Sequence, residues 1–147
     1  MAKRILVPLD ETVQAESAVD LVADMARGGG ATVRLLHVAP VTDNVVSDGR
    51  VVAYADQEAA RLEGEALDYL RAVEVRMNGL PVESVVRFGD PMAEILLEAA
   101  AFGADLIVMS TKAASGISRV MLGSVAEQVL RRAAPPVILY RTAREAA

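Results

Sequence analysis

Small residues that follow an apolar run near the end of the chain have the composition of an anion-binding loop. The run Leu106 to Met109 is strand-like, and it continues through Ser110 and further small residues to Gly123-Ser124-Val125 and an amphipathic helix. A strand that passes into a helix in this way presents backbone N–H groups and the positive end of the helix dipole. The segment predicts a site for a phosphate or another anion, although neither common phosphate-loop motif, G-x-x-x-x-G-K-[ST] or G-x-G-x-x-G, occurs.

A carboxylate follows the first apolar run. Asp10 comes directly after Ile5 to Leu9, a run that is typical of a strand. A carboxylate at this end of a strand can accept hydrogen bonds from a ligand amine or hydroxyl, or help to hold a hydrated cation. Asp10, Glu11 or Thr12 could equally cap the first helix. Position alone leaves both interpretations of Asp10 open.

The single histidine does not indicate a familiar catalytic group. His37 lies near the end of an apolar strand-like run, and the chain has no cysteine and no second histidine to share a metal or to complete a triad. The nearest approach to a serine-hydrolase elbow, Gly116-Ile117-Ser118-Arg119-Val120, lacks the closing glycine. We expect His37 to be a hydrogen-bonded structural residue, and no catalytic base stands out.

Composition excludes several classes of protein. The net charge is -5, and the arginines near the end of the chain are not interleaved with aromatic residues, so a nucleic-acid role is not expected. The absence of cysteine excludes disulfides and thiolate metal sites. The first apolar run is too short for a signal peptide, and no run reaches the roughly 18 apolar residues of a membrane span. We therefore expect a cytoplasmic protein with no membrane segment.

Apolar runs and helical patterns alternate along the 147 residues, which we expect to form one domain over 1–147. Four of the five runs are nearly continuous, as in strands that are covered on both faces of a parallel sheet. The predicted strands are Ile5 to Leu9, Val33 to Val38, Val82 to Arg87, Leu106 to Met109, and Val137 to Tyr140.

Four amphipathic helices are predicted between these strands. The first ends at Gly28-Gly29-Gly30, the second runs from about Ala53 to Asn78, and the fourth from roughly Ser118 to Ala133. The third has the clearest bounds, because Asp90 can cap it, Pro91 suits its first position and Gly103 can close it. The one loose connection is Ala39 to Val52, which is long enough for a functional loop.

The order βαβαβαβαβ predicts an α/β fold, a doubly wound, Rossmann-like sheet of five parallel strands with helices on both faces. In such sheets ligands bind at the carboxyl ends of the strands, beside the switch in strand order. Asp10, Val38 and Ser110 all lie at such ends.

Five segments together resemble the universal stress protein family, over essentially the whole chain. Each segment is weak alone, but their order and spacing are specific. They are Ile5 to Asp10, Leu36-His37-Val38, Gly89-Asp90-Pro91, Gly103 to Met109, and Leu122 to Leu130.

Nucleotide-binding members of that family carry G-x-x-G-x9-G-[ST] after the fourth strand. Gly123-Ser124 matches the final pair, whereas Ser110 and Ala113 stand where the first two glycines would be. If the bound loop needs a left-handed residue at Ala113, the alanine costs about 1 to 2 kcal/mol. Ser110 is the milder change, because its hydroxyl can still bond a ribose or phosphate oxygen.

The resemblance implies a stress-response domain that binds an adenine nucleotide, ATP or AMP, weakly, with Mg²⁺ only alongside the nucleotide. Asp10 and the backbone of Val38 would then meet the adenine, Ser110 would lie near the ribose, and the loop would face the phosphates. The implied binding residues are Pro8, Asp10, Val38, Met109, Ser110, Ala113, Gly123, Ser124 and Val125.

Two other functions stay open. The missing glycines favour a member that binds no nucleotide and serves as a dimeric regulatory or scaffold protein. A slow ATP hydrolase is a lesser alternative, because the base and arginine finger of phosphoryl transfer cannot be identified.

A homodimer is expected under either leading hypothesis. The last strand is short and apolar, and an exposed edge of this kind is open to unwanted pairing unless a partner covers it. Family members commonly pair through the same strand. The residues concerned are Val137, Ile138, Leu139 and Tyr140.

Overall fold

Strands and helices alternate along this computed structural model, which describes residues 3–11, 13–42, 45–111 and 124–141. Four of the five predicted strands are longer in the structure by one or two residues, and the first has its predicted length but begins and ends one residue earlier. In chain order the elements are β1 (Arg4–Pro8), α1 (Val13–Gly29), β2 (Thr32–Ala39), β3 (Val45–Ser47), β4 (Arg50–Ala53), α2 (Ala55–Val75), β5 (Val82–Phe88), α3 (Pro91–Phe102), β6 (Leu106–Thr111), α4 (Ser124–Arg132) and β7 (Val137–Arg141).

Five of these strands form one parallel sheet in the order β5-β2-β1-β6-β7. The chain moves outward from β1 through β2 to β5, and then crosses back to β6 on the other side of β1. The direction of winding therefore changes between β1 and β6, which is where an open α/β sheet binds ligands. The predicted fold class is confirmed.

Helices cover both faces of the sheet, because the alternating side chains of its strands place apolar residues on both faces. On one face α1 and α2 pack against Ile5, Val7, Val33 and Leu35. On the other face the apolar sides of α3 and α4 pack against the intervening residues Leu6, Leu36, Ile107 and Met109.

The bounds of α3 are those that the sequence predicts. The carboxylate of Asp90 accepts a hydrogen bond of 3.0 Å from the backbone N–H of Ala93, and Pro91 is the first helical residue. Gly103 ends the helix with φ of +68°, a left-handed conformation that glycine adopts without strain. The first turn of α3 is thereby held at the end of β5.

An ion-pair network ties α3 to β2 and β5. Glu98 on α3 is buried, and its carboxylate accepts hydrogen bonds from Arg34 on β2 at 2.7 Å and from Arg87 on β5 at 2.5 Å. Arg34 also lies over the ring of Phe102, 4.1 Å from its centre. These contacts fix α3 against β2 and β5.

The expected loose connection from Ala39 to Val52 instead contains an antiparallel hairpin, β3 and β4. Asp48 and Gly49, with φ of +52° and +75°, form its two-residue turn. Positive φ at both central residues matches the type I′ turn that the right-handed twist of a hairpin favours. The Asp-Gly pair between valines was the available signal for it.

The second helix is shorter than predicted, and the predicted start of the fourth helix cannot be compared with the structure. The second helix, α2, runs only from Ala55 to Val75, because the chain turns at residues 76–79, where Gly79 has φ of +84°. The predicted start of the fourth helix at Ser118 lies outside the described residues. Within the described residues, none of the helices is both long and apolar enough to cross a membrane.

Candidate functional site

A pocket opens at the carboxyl edge of the sheet, where β1, β2 and β6 end between the first turns of α3 and α4. Its volume is about 350 Å³, within the range of roughly 300 to 1,000 Å³ that small-molecule sites occupy. The lining residues are Pro8, Leu9, Asp10, Leu36, Val38, Pro91, Ile95, Met109, Ser110, Ser124, Val125 and Ala126.

The walls of this pocket are mostly apolar. Leu36 and Val38 come from the same face of β2, and Met109 contributes from β6. Among the lining residues, the polar side chains are those of Asp10, Ser110 and Ser124. Such an arrangement suits a flat apolar ring system that carries polar groups at its edge.

The beginning of α4 forms one end of the pocket. Ser124 is the first residue of this nine-residue helix, and Val125 and Ala126 follow it along the pocket wall. Backbone N–H groups in the first turn of a helix have no partner within the helix and, with its dipole, favour an anion.

Seven of the nine residues that the resemblance implies lie together in this pocket. The other two, Ala113 and Gly123, lie outside the described residues. The seven are Pro8, Asp10, Val38, Met109, Ser110, Ser124 and Val125.

Sequence reasoning missed five lining residues. Leu36 could have been found, because it precedes Val38 by two residues on a strand and shares its face. Ile95 lies one helical turn after Pro91, but only the packing of α3 beside the strand ends brings both to the pocket. The remaining two are Leu9 and Ala126.

The turn after β1 brings Asp10 to the pocket. The backbone N–H of Leu9 donates to the carbonyl of Leu36 at 2.8 Å, which extends the pairing of β1 with β2. On the other side of Asp10, Glu11 has φ of +66°, an uncommon conformation for a residue other than glycine. Nδ1 of His37 lies 2.8 Å from the carbonyl oxygen of Leu9, so the expected structural hydrogen bond of this histidine is present.

Negative charge surrounds the outer side of this turn. Burial raises the pKa of the Tyr69 phenol on α2, and the carboxylates of Glu16, Asp10 and Glu11 raise it further. Arg76 pairs with Glu16 at 3.2 Å and opposes part of this charge. Within the described part of the chain, no three acidic or histidine side chains are grouped so that they could hold a metal ion.

Comparison with known proteins identifies the family. The model of the Universal stress protein family matches residues 1–141. Universal stress protein YxiE of Bacillus subtilis is 27% identical over 148 residues, which covers 96% of this chain and all of YxiE.

Solved structures have the same fold. Protein MJ0577 of Methanocaldococcus jannaschii superposes with a TM-score of 0.80 at 25% identity, over 97% of this chain and 98% of that one. A universal stress protein in complex with cAMP has a TM-score of 0.69 at 19% identity, over 97% and 98% of the two chains. One from Archaeoglobus fulgidus, in complex with dAMP, has a TM-score of 0.58 at 22% identity, over 93% and 96%. With residues 1–141 matched by the family model and its fold shared with these structures, the chain belongs to the universal stress protein family.

Proposed function

We propose that the pocket binds an adenine nucleotide, AMP or ATP, and that its occupancy modulates the interaction of a one-domain stress-response protein with a partner. The observation that carries this proposal is the convergence of Asp10, Val38, Ser110 and Ser124 on a single cavity. Relatives solved with cAMP and dAMP support the choice of an adenine nucleotide.

Each part of the nucleotide has a chemically suitable partner in the proposal. Leu36, Val38 and Met109 form the apolar walls for the adenine ring, and the Asp10 carboxylate can accept from its amino group or from a ribose hydroxyl. The hydroxyl of Ser124 and the first N–H groups of α4 suit a phosphate. Mg²⁺ would enter with ATP, because the phosphates of the nucleotide would supply part of its oxygen ligands.

Isothermal titration calorimetry of AMP, and of ATP with and without Mg²⁺, tests the proposal. We expect measurable binding that weakens in Asp10→Asn and in Ser124→Ala. Ser84→Ala is the matched control. It removes the hydrogen bond that Ser84 on β5 donates to Glu74 on α2, and neither residue lines the pocket. Absence of heat at millimolar nucleotide would contradict the proposal.

A second candidate function is that of a regulatory protein without nucleotide, favoured by the two missing glycines. A Ser110→Gly, Ala113→Gly double variant separates the two candidates. Binding gained only in the double variant would support the second candidate, whereas nucleotide released from freshly purified, denatured wild type would exclude it.

We also propose that two copies of the chain pair along β7. β7 is an edge strand of the five-stranded sheet, and Val137 to Tyr140 remain partly exposed. An unpaired apolar edge is a liability that a second copy would cover. Size-exclusion chromatography with light scattering should find a dimer at micromolar concentration, and a monomer there would contradict this part.

A further inference from the structure

Both backbone groups of Leu9 are held by β2. Its N–H donates to the carbonyl of Leu36, and its carbonyl lies 2.8 Å from Nδ1 of His37. A carbonyl only accepts hydrogen bonds, so Nδ1 must carry the proton. The last residue before Asp10 is thus fixed from both sides.

The same imidazole ring reaches across to the residue that follows Asp10. Nε2 of His37 lies 3.9 Å from Oε1 of Glu11. With Nδ1 protonated, the neutral ring presents a lone pair to this carboxylate, and the charged ring presents an N–H. Glu11 has φ of +66°, a conformation that costs energy for a residue other than glycine and needs support from its surroundings.

His37 is not itself among the residues that line the pocket. Val38 and Leu36 lie on the α3 and α4 face of β2, and His37, between them, lies on the face that α1 and α2 cover. Its side chain is only 15% exposed. Any influence of His37 on a ligand must therefore pass through the turn that it holds.

We propose that His37 is a positioning residue that fixes the turn of residues 9–11 and so places the Asp10 carboxylate in the pocket. Its ring contacts the residues on both sides of Asp10, because Nδ1 bonds the carbonyl of Leu9 and Nε2 lies 3.9 Å from Oε1 of Glu11. This inference rests on the proposed binding of an adenine nucleotide, to which it adds a residue outside the pocket.

Two substitutions separate the donor from the shape of the ring. His37→Asn keeps an N–H donor at the position of Nδ1 but has no second nitrogen. His37→Phe keeps a ring and removes the donor. Calorimetry with AMP at pH 8.0 compares both with wild type, and circular dichroism shows that the variants are folded.

At pH 8.0 we expect AMP to bind His37→Phe about 2- to 10-fold more weakly than wild type, because the bond to Leu9 is lost. His37→Asn should bind nearly as wild type at this pH. The recovery in His37→Asn separates loss of the donor from a general loss of packing at this position.

The possible failures are distinguishable. If wild type binds no AMP, the proposed function fails and this inference fails with it. If wild type binds AMP and His37→Phe binds equally well, or if His37→Asn binds as weakly as His37→Phe, only the role of His37 is overturned. Should His37→Phe not fold, ¹⁵N NMR of wild type decides, since a neutral ring protonated at Nε2 would overturn the inference.

Discussion

Replacing the buried Glu98 with glutamine tests the network that holds α3 beside the pocket. Its carboxylate accepts from Arg34 at 2.7 Å and from Arg87 at 2.5 Å, and only 4% of the side chain is exposed. Glutamine keeps the shape of the side chain. Its NH₂ group would face the N–H groups of one of the two arginines, and two donors cannot form a hydrogen bond.

The size of the effect follows from what each arginine retains. Removing one partner of a fully buried ion pair costs about 3 to 5 kcal/mol. Here Arg34 keeps Glu83 at 2.7 Å, Arg87 keeps Glu94 at 3.1 Å, and the two arginine side chains are 20% and 30% exposed. We therefore expect Glu98→Gln to lower the free energy of unfolding by about 2 to 4 kcal/mol.

Urea unfolding at pH 7 and fixed protein concentration measures this loss. Glu127→Gln is the matched control, because Glu127 accepts from Arg131 at the same 2.7 Å, but the two side chains are 44% and 73% exposed. An exposed pair of this spacing on a helix contributes about 0.3 to 0.5 kcal/mol. Equal losses in Glu98→Gln and the control would refute the reasoning.

The pH dependence gives a second check. Burial opposes ionisation of Glu98, but the hydrogen bonds and charges of Arg87 and Arg34 outweigh it, so its pKa lies below the usual 4.5. A carboxyl with a lowered folded pKa stabilises the protein above its unfolded pKa, and that contribution is lost as the pH falls through the folded value. The difference between wild type and Glu98→Gln should be complete at pH 7 and shrink below about pH 4.5. A difference that grows on acidification would contradict this assignment.

Three further substitutions test local features by urea unfolding. Asp90→Ala removes the cap of α3 and should cost about 0.5 to 2 kcal/mol, whereas Asp90→Asn should recover most of the loss. Gly103→Ala forces alanine into φ of +68° with its Cβ 3.2 Å from Arg4 Nη1, and should cost about 1 to 2 kcal/mol; no loss would show that the helix ends otherwise. Tyr69→Phe removes a buried hydroxyl that has no hydrogen-bond partner among the described residues, so stability should stay within about 0.5 kcal/mol or rise. A larger loss would reveal a partner for that hydroxyl.

Local patterns were sufficient to predict most of the fold. The cap at Asp90, the stop at Gly103 and the continuous strands depend on residues near one another in sequence, so the local chemistry could be read directly. The hairpin at Asp48-Gly49 was missed because each of its strands is too short to show a period, although its turn is local. The positions of Asp10, Val38 and Ser110 at the ends of predicted strands likewise indicated them as residues of a ligand site, and all three line the pocket.

The sequence by itself determined the order of the helices and of the strands of the parallel sheet, and the strand ends where polar residues collect, since hydrophobic periodicity and capping act over a few residues. Only the tertiary structure decided that Pro91 and Ile95 of α3 join the pocket, that Glu98 is buried between two arginines, and that His37 spans the two sides of Asp10. Those contacts join residues from separate elements, and their geometry depends on how helices pack on the twisted sheet, which no local pattern encodes.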